Sequence, residues 1–433
     1  MSSDSEARKQ VDLAGGLGAD NAGILAAVGR LGRERKVRVY LVGGLVRDLH
    51  LDVGSVDLDI SVAGDGIAFA RRLALTLKAE IVEYRRFLTA TLTLPGGLRL
   101  DVATARSESY ERAGALPQVK PSSIEDDMRR RDFTINAMAL SLDPDSFGEL
   151  YDPFGGLKDI SARLVRVLHD RSFIDDPTRV LRAQRFASRL AFELEPHTAE
   201  LIRAAVESRV FAFVSGDRLR EELFLGFWEP DPAAFLRGLD SFGALAPLIP
   251  GAVLDARLPG LLEAVSLLNS LVEKGAEWDP ALVSLLILLR GAGEADVRQA
   301  AATLKLEGRW TGFLKAVSEL PGLAARIESA AGPGEMHKIL SGLPLESRLA
   351  AIVLCDREQQ REMAVNCLRL GRRMRPELSG DDLIEMGFAP GPALGRILEE
   401  LLKRKLDGEL SGRAAEEDYV RRHFRVPGGE AVS

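Results

Sequence analysis

Cysteine and histidine are scarce in these 433 residues: the chain has two of the first and five of the second. Cys355 and Cys367 are too few for a disulfide framework, and in what read as late helices they fit buried thiols better than a disulfide or a metal site. The histidines are scattered and make no ligand cluster. No uninterrupted apolar run reaches the roughly 18 residues that a membrane helix needs. The opening MSSDSEARKQ lacks the apolar segment of a secretory signal, so the expected compartment is the cytoplasm. An excess of basic charge is also missing. The net charge of −7 argues against a nonspecific nucleic-acid binder. It leaves RNA open, because a local basic face and not the sum decides binding.

What is present is an ordinary globular composition, 46% hydrophobic and 28% charged, long enough for two to four domains with real cores. Arginine gathers in two places, Arg129-Arg130-Arg131 and the run from Arg163 to Arg189.

The chain is organised around YLVGGLVRDLHLDVGSVDLDISV, residues 40 to 62. Val37 to Val42 reads as a buried strand that ends on Gly43-Gly44, and Leu45 to Leu51 has helical spacing and carries Arg47. Two glycines at a strand-to-helix turn leave backbone N–H groups open to an anion and let a phosphate approach closely. Residues 56 to 62 have strand character, and the period of two puts Asp57 and Asp59 on one face with Leu58 turned to the core. Paired carboxylates repel unless a cation lies between them, and a pair of Mg²⁺ ions shared with a nucleoside triphosphate fits that need. Taken singly, Gly-Gly also reads as a tight turn and Asp-x-Asp as a loop; the two together, in this order, are far rarer.

Residues 1 to 20 read as a disordered lead and the segment near Asn21 to Arg33 as a first helix. Ile67 to Lys78 reads as a helix, and Leu88 to Leu94 and Leu98 to Ala103 as strands joined by Pro95-Gly96-Gly97. Asp101 has two open readings, a third carboxylate at the active face or a strand-end residue that caps a turn or pairs with Arg106. Ser107 to Ser123 has no period and reads as a flexible loop. Arg130-Arg131-Asp132-Phe133-Thr134-Ile135-Asn136-Ala137 follows, and Glu149 to Gly156 closes this part with a short strand and a turn. Beyond Gly156 strand signals nearly vanish and apolar residues recur at three and four, so the chain from about Asp175 is expected to be almost all helical.

Asp175-Asp176-Pro177-Thr178-Arg179 carries the signals of a helix start. Arg179, Arg182, Arg185 and Arg189 then line one side of that helix. Stacked arginines call for an anionic partner, phosphate or nearby carboxylates, and a solvated face is the even alternative. Arg218 and Glu222 stand at i and i+4, where they would pair on any helix. Helix after helix follows from Pro230, with no internal repeat. Arg369 to Arg375 is a short basic patch that suits RNA backbone or plain solvated charge.

The order Gly-Gly, Arg, Asp-x-Asp, RRDFTINA, DDPTRVLRAQRF, RLREEL resembles the tRNA nucleotidyltransferase and bacterial poly(A) polymerase family, relatives of DNA polymerase β. The segment Phe388 to Leu406 resembles the family's tRNA-binding tail less specifically. The resemblance implies an α+β fold with a nucleotidyltransferase head over 21–160, a base-reading neck over 161–228 and a helical tRNA-binding body and tail over 229–433. It implies addition of CMP, AMP or both from CTP and ATP to a tRNA 3′ end, with two Mg²⁺ ions on Asp57 and Asp59. By that resemblance Gly43, Gly44, Arg47 and Arg131 hold the triphosphate and Asp132 the sugar. Asp176 and Arg179 read the base edge, Arg182 and Arg185 place the helix and assist the phosphates, and Arg218 and Glu222 brace it. Where the family has Glu-Asp this chain has Asp175-Asp176. The loop at 107 to 123 stands where the family keeps a mobile element that helps set the base added. The wording around AGALPQVKPSS and LHDRSFIDDPTRVLRAQRF is most similar to members of the split system, in which separate enzymes add CC and A, and the A-adding kind is expected. Poly(A) polymerase is the nearest rival, a noncatalytic RNA-binding protein a second, and a metal-dependent phosphohydrolase, resting on His169-Asp170 alone, a third.

Overall fold

The computed structural model describes residues 10–54, 57–115, 117–271, 277–306, 312–370 and 374–425. The chain divides into two units, Met1–Pro247 and Leu248–Ser433.

In the first unit, Arg38–Val42 (β1), Leu58–Ala63 (β2), Glu80–Tyr84 (β3), Thr89–Thr93 (β4), Arg99–Thr104 (β5), Ala139–Ser141 (β8) and Leu150–Tyr151 (β9) form a seven-stranded sheet in the order β3-β4-β5-β2-β1-β8-β9. Only β2 and β5 run parallel, with Asp59 level with Asp101; β1 and β2 are antiparallel, with Val42 level with Asp59. Helix α4 (Gly66–Leu77) lies on one face, where its Phe69 and Leu73 join Ile60, Leu92, Leu100 and Val102 in a core with almost no exposed surface. Helix α2 (Ala19–Arg35) packs so closely that a Cβ on Gly29 would sit 1.8 Å from the Leu142 carbonyl oxygen.

Two expectations are corrected here. The lead is shorter than residues 1 to 20: Asp12 caps helix α1 (Leu13–Leu17) by accepting from the Ala14 and Gly15 N–H groups, and Leu13 is buried. One leucine and one cap suffice to order a single turn that composition averages away. Residues 1–9 lie outside the described residues. The stretch 107 to 123 is no structureless loop either, since Arg106–Ser109 (β6) pairs antiparallel with Gln118–Pro121 (β7) in a separate ribbon. A ribbon of two strands outside the main sheet buries little, so its backbone pairing leaves no alternation of apolar residues to read.

Ser123 caps α5 (Ile124–Arg129), which presents Met128 to Val42, Ala137 and Ala139 on the second face of the sheet. Helices α6 (Gly156–Ala162) and α7 (Ser172–Asp175) lead to α8 (Thr178–Leu190), α9 (Pro196–Glu207), α10 (Gly216–Gly226) and α11 (Pro232–Ser241). Strand signals do not end at 156: Leu164–Val165 (β10) pairs parallel with Glu193–Leu194 (β11), each only two residues long. The expected start of α8 is shifted by one residue: Pro177 takes the cap position, and Asp176 before it accepts from the Thr178 N–H and hydroxyl through Oδ1.

The second unit is helical among the described residues, from Leu258–Leu271 (α12) and Pro280–Leu288 (α13) through Phe313–Ser329 (α15) to Pro392–Leu406 (α20) and Arg413–His423 (α21). The last helices share a small core of Leu383, Phe388, Ile397, Leu401 and Val420. Cys355 and Cys367 are buried free thiols. The patch Arg369 to Arg375 includes residues 371–373, which lie outside the described residues. No helix among the described residues is long and apolar enough to cross a membrane.

Candidate functional site

Strand β1 delivers the chain to Gly43, whose φ of +86° favours glycine. A Cβ there would lie 2.9 Å from Asp59 Oδ2, so backbone and carboxylate are in close approach. Asp59 stands on β2 and Asp57 immediately before it. Burial pushes the Asp59 carboxyl up to about 6; Arg131 offsets part of this, and Asp101 and Asp57 add to it. Among the described residues neither Asp57 nor Asp59 has a cation within ion-pair distance. A desolvated carboxylate short of counter-charge beside a second one is a donor set that fits a hard divalent cation. No group of three His, Cys, Asp or Glu side chains among the described residues is close enough to hold a metal. Asp101, level with Asp59 on the neighbouring strand, instead accepts a hydrogen bond from the Thr91 hydroxyl at 2.5 Å.

Helix α3 (Gly44–His50) carries Arg47 inward. Its guanidinium donates to Asn136 Oδ1 at 2.6 Å and to Asp48, and lies over the Phe186 ring at 5.1 Å. Arg131 donates from Nη2 to Asp127 at 3.1 Å, while its buried Nε has no partner among the described residues. Asp132 accepts from its neighbour's N–H and from Asn136 through Oδ1, and from Nε and Nη2 of Arg182 through Oδ2. Burial alone would raise the Asp132 carboxyl, yet Arg182 beside it and the Asn136 bond hold it below its ordinary value.

The arginine stripe of α8 meets carboxylates. Arg182 and Arg185 share Glu222, at 3.2 and 2.5 Å, and Arg185 and Arg189 share the buried Glu229, at 2.9 and 2.7 Å. Of the sequence alternatives, the solvated face is therefore set aside for these three. Arg179, 5% exposed, donates to the Ser172 hydroxyl and the Arg130 carbonyl. The expected Arg218–Glu222 pair is corrected: Arg218 donates to Asp176 Oδ1 at 2.8 Å and to the Gly114 carbonyl, while Glu222 takes Arg182 and Arg185. Local i,i+4 spacing loses here because α10 faces α8, and a partner across the interface is less exposed than one along a helix surface. Among the described residues His169-Asp170 gathers no metal site; Asp170 meets His197 at an exposed surface pair.

These elements enclose a cleft of about 520 Å³. Gly43, Gly44, Arg47, Asp57, Asp59, Arg131, Asp132, Asp176, Arg179 and Arg182 all line it, brought together from segments more than a hundred residues apart. Asp101, Arg185, Arg218 and Glu222 stand behind the lining. Sequence reasoning missed Tyr110 and Glu108, which reach the cleft from the ribbon. The Tyr110 hydroxyl donates to Glu108 at 3.0 Å, and burial with that carboxylate pushes it up. Nothing in the sequence around them signals this. Asn136 and Phe186 were legible only as members of quoted motifs, Asn136 in RRDFTINA and Phe186 in DDPTRVLRAQRF.

A family model described as the poly A polymerase head domain matches residues 39–166, and one described as a probable RNA and SrmB-binding site of polymerase A matches residues 191–254. An A-adding tRNA nucleotidyltransferase of Geobacter sulfurreducens is 33% identical over 406 residues, which are 90% of this chain and 46% of that protein, so the chain spans under half the length of this relative. The A-adding tRNA nucleotidyltransferase of Halalkalibacterium halodurans is 32% identical over 410 residues, covering 94% of this chain and 93% of its own. Among solved structures, a CCA-adding enzyme in an apo form superposes with a TM-score of 0.84 at 30% identity, covering 96% of this chain and 99% of the other.

Proposed function

The chain belongs to the family of tRNA nucleotidyltransferases that share the poly(A) polymerase head, and from that premise we propose that it adds AMP from ATP to the 3′ end of a tRNA that already ends in CC. One observation carries the reading: two aspartates short of counter-charge, the guanidinium of Arg131, and the pair Asp176 and Arg179 face a single cleft. A-addition in particular is supported by the names of both relatives and by the wording of the neck segment.

In this reading the terminal 3′-hydroxyl of the RNA attacks the α-phosphate in line. A new P–O bond forms, the α–β anhydride bond breaks, and pyrophosphate leaves. Nucleotidyltransferases of this family generally use divalent metal ions. Here Asp57 and Asp59 would hold two Mg²⁺, which when bound supply a more acidic hydroxyl and charge neutralisation at the leaving phosphates. Arg47 and Arg131 hold the triphosphate, with Gly43 and Gly44 leaving room for its oxygens. Asp132, already fixed by Arg182 and Asn136, offers a remaining carboxylate lone pair to the ribose. Asp176 engages its own helix and Arg218 through Oδ1, which leaves Oδ2 free of partners among the described residues to accept from the exocyclic amine of adenine. Arg179 donates to the neighbouring ring nitrogen, and uracil and guanine present the opposite pattern at those two positions. Positioning and electrostatics supply most of the rate. Residues 21–160 are then the head, 161–228 the neck and 229–433 the part that holds the tRNA body, with the cytoplasm as the site of action.

The test supplies purified protein with tRNA ending before CCA, after the first C, or after CC, and gives CTP and ATP singly. The expected result is one AMP on the CC-ended tRNA. Long adenylate runs on unrelated RNA would turn the reading to a poly(A) polymerase; no incorporation on any substrate would overturn it.

A further inference from the structure

Directly paired residues of neighbouring strands point to the same side of a sheet. Asp59, Asp101, Thr91 and Val82 are paired in that order across β2, β5, β4 and β3, so all four share the face that bears the cleft. Along the strands the next row on this face is Ser61, Ala103, Thr89 and Tyr84. Over β1 and β2 this face is closed by α5, whose Asp127 and Met128 meet Ser61 and Val42. Past β2 it is bare. Val82 is 55% exposed and Tyr84 49%, on a sheet whose opposite face is sealed by α4. The turn between β3 and β4 ends the bare area with Arg85, Arg86 and a 38% exposed Phe87, and the Arg86 guanidinium lies 5.8 Å from that ring. Arg99, exposed at the start of β5, flanks it at the other end. Glu83 points to the α4 side, where Arg71 neutralises it.

The face is mixed: exposed Val82 and Tyr84 stand on its outer strand, threonine hydroxyls on its middle strand, the carboxylates of Asp101 and Glu80 among them, and guanidinium groups at its borders. Exposed apolar and aromatic side chains grouped in this way mark a contact surface. Those are the parts that hold single-stranded RNA: aromatic rings for bases, hydroxyls for 2′-OH groups and arginines for phosphates. The face is also continuous with the aspartates. Three inter-strand steps of about 4.8 Å put the Val82 column roughly 14 Å from Asp59, room for a few nucleotides. We infer that the bare face of β5, β4 and β3 is the track for the last nucleotides of the RNA acceptor end, with Tyr84 and Phe87 as stacking platforms and Arg86 and Arg99 on the backbone. The inference rests on the nucleotidyltransferase reading above, because it needs a 3′-hydroxyl delivered to Asp57 and Asp59.

The experiment compares the full chain with the double variant Val82→Asp/Tyr84→Asp, with Arg86→Glu, and with Tyr84→Phe. Binding of fluorescein-labelled CC-ended tRNA is followed by anisotropy, ATP binding by calorimetry, mass by light scattering, and KM for the tRNA by AMP incorporation. The double variant and Arg86→Glu should weaken RNA binding and raise its KM by roughly tenfold or more, with ATP binding unchanged, while Tyr84→Phe keeps its ring and stays near wild type. Arg86→Glu serves alone if the double variant does not fold. Unchanged RNA affinity in these variants overturns the inference. So does a wild-type dimer that the double variant dissociates without loss of RNA affinity, which would make this face a contact between copies. If the wild type binds RNA on this face but extends none, the activity reading fails and the track stands.

Discussion

At the scale of single residues, Asp59 concentrates the tension of the site. Its folded carboxyl is raised to about 6, above the ordinary 3.8, chiefly because burial disfavours the charged form. A raised carboxyl binds its proton more tightly in the folded state, so metal-free stability is highest at low pH from this group. It falls as pH rises from about 4 through about 6 and then levels, a loss of about 3 kcal/mol for a shift of this size. Asp59→Asn removes that loss. The variant should be more stable than wild type in urea at pH 7.5 without divalent cations, with the difference shrinking towards pH 4, and it should incorporate no nucleotide. A variant less stable than wild type at pH 7.5 would show that the carboxylate is held by bonds and not strained. Both aspartates were legible in the sequence because the strand period and the glycine turn lie within a few residues of them. Tyr110 was not, since its place in the cleft is set by a ribbon fold and by Glu108, neither of which leaves a periodic trace.

Among elements, helix α2 and strand β8 show how little tolerance the head has behind its site. Gly29 faces the Leu142 carbonyl, and a side chain there meets backbone that cannot rotate away. Gly29→Ala should destabilise by about 1–3 kcal/mol, read as an earlier urea midpoint with unchanged slope; an unchanged midpoint would mean the helix and strand separate at no cost. Helices with a buried stripe, α4 and α8 above all, follow from spacing alone. Short elements do not: α1 is ordered by one cap, β10 and β11 are two residues each, and the ribbon is held by backbone bonds that any sequence makes. The stripe on α8 was visible as four arginines, but its partners were not, because Glu222 and Glu229 reach it only once α10 is folded against it.

For the whole molecule, a net charge of −7 meets a polyanionic substrate. Binding then depends on a few arginine-lined surfaces working against the overall field, and each phosphate contact releases counterions. The KM for tRNA should therefore climb steeply with added KCl, with a log–log slope of several, while that for ATP changes less. A flat response in tRNA would point to recognition by shape and hydrogen bonds alone. Fold class was legible because strand signals gather before Gly156 and helical spacing dominates after it; the division at Pro247 was not, since helix follows helix across it with no change in pattern.

The ladder from Asp132 through Arg182, Glu222, Arg185 and Glu229 to Arg189 shares each acid between two bases or each base between two acids. Altering Arg182 leaves the buried Asp132 without a cation, and altering Arg185 leaves Glu222 and Glu229 each one partner short, which costs more than a single pair contributes. Over generations such positions drift only in company, so a lineage that trades one of these arginines should carry a matching trade across the helix interface.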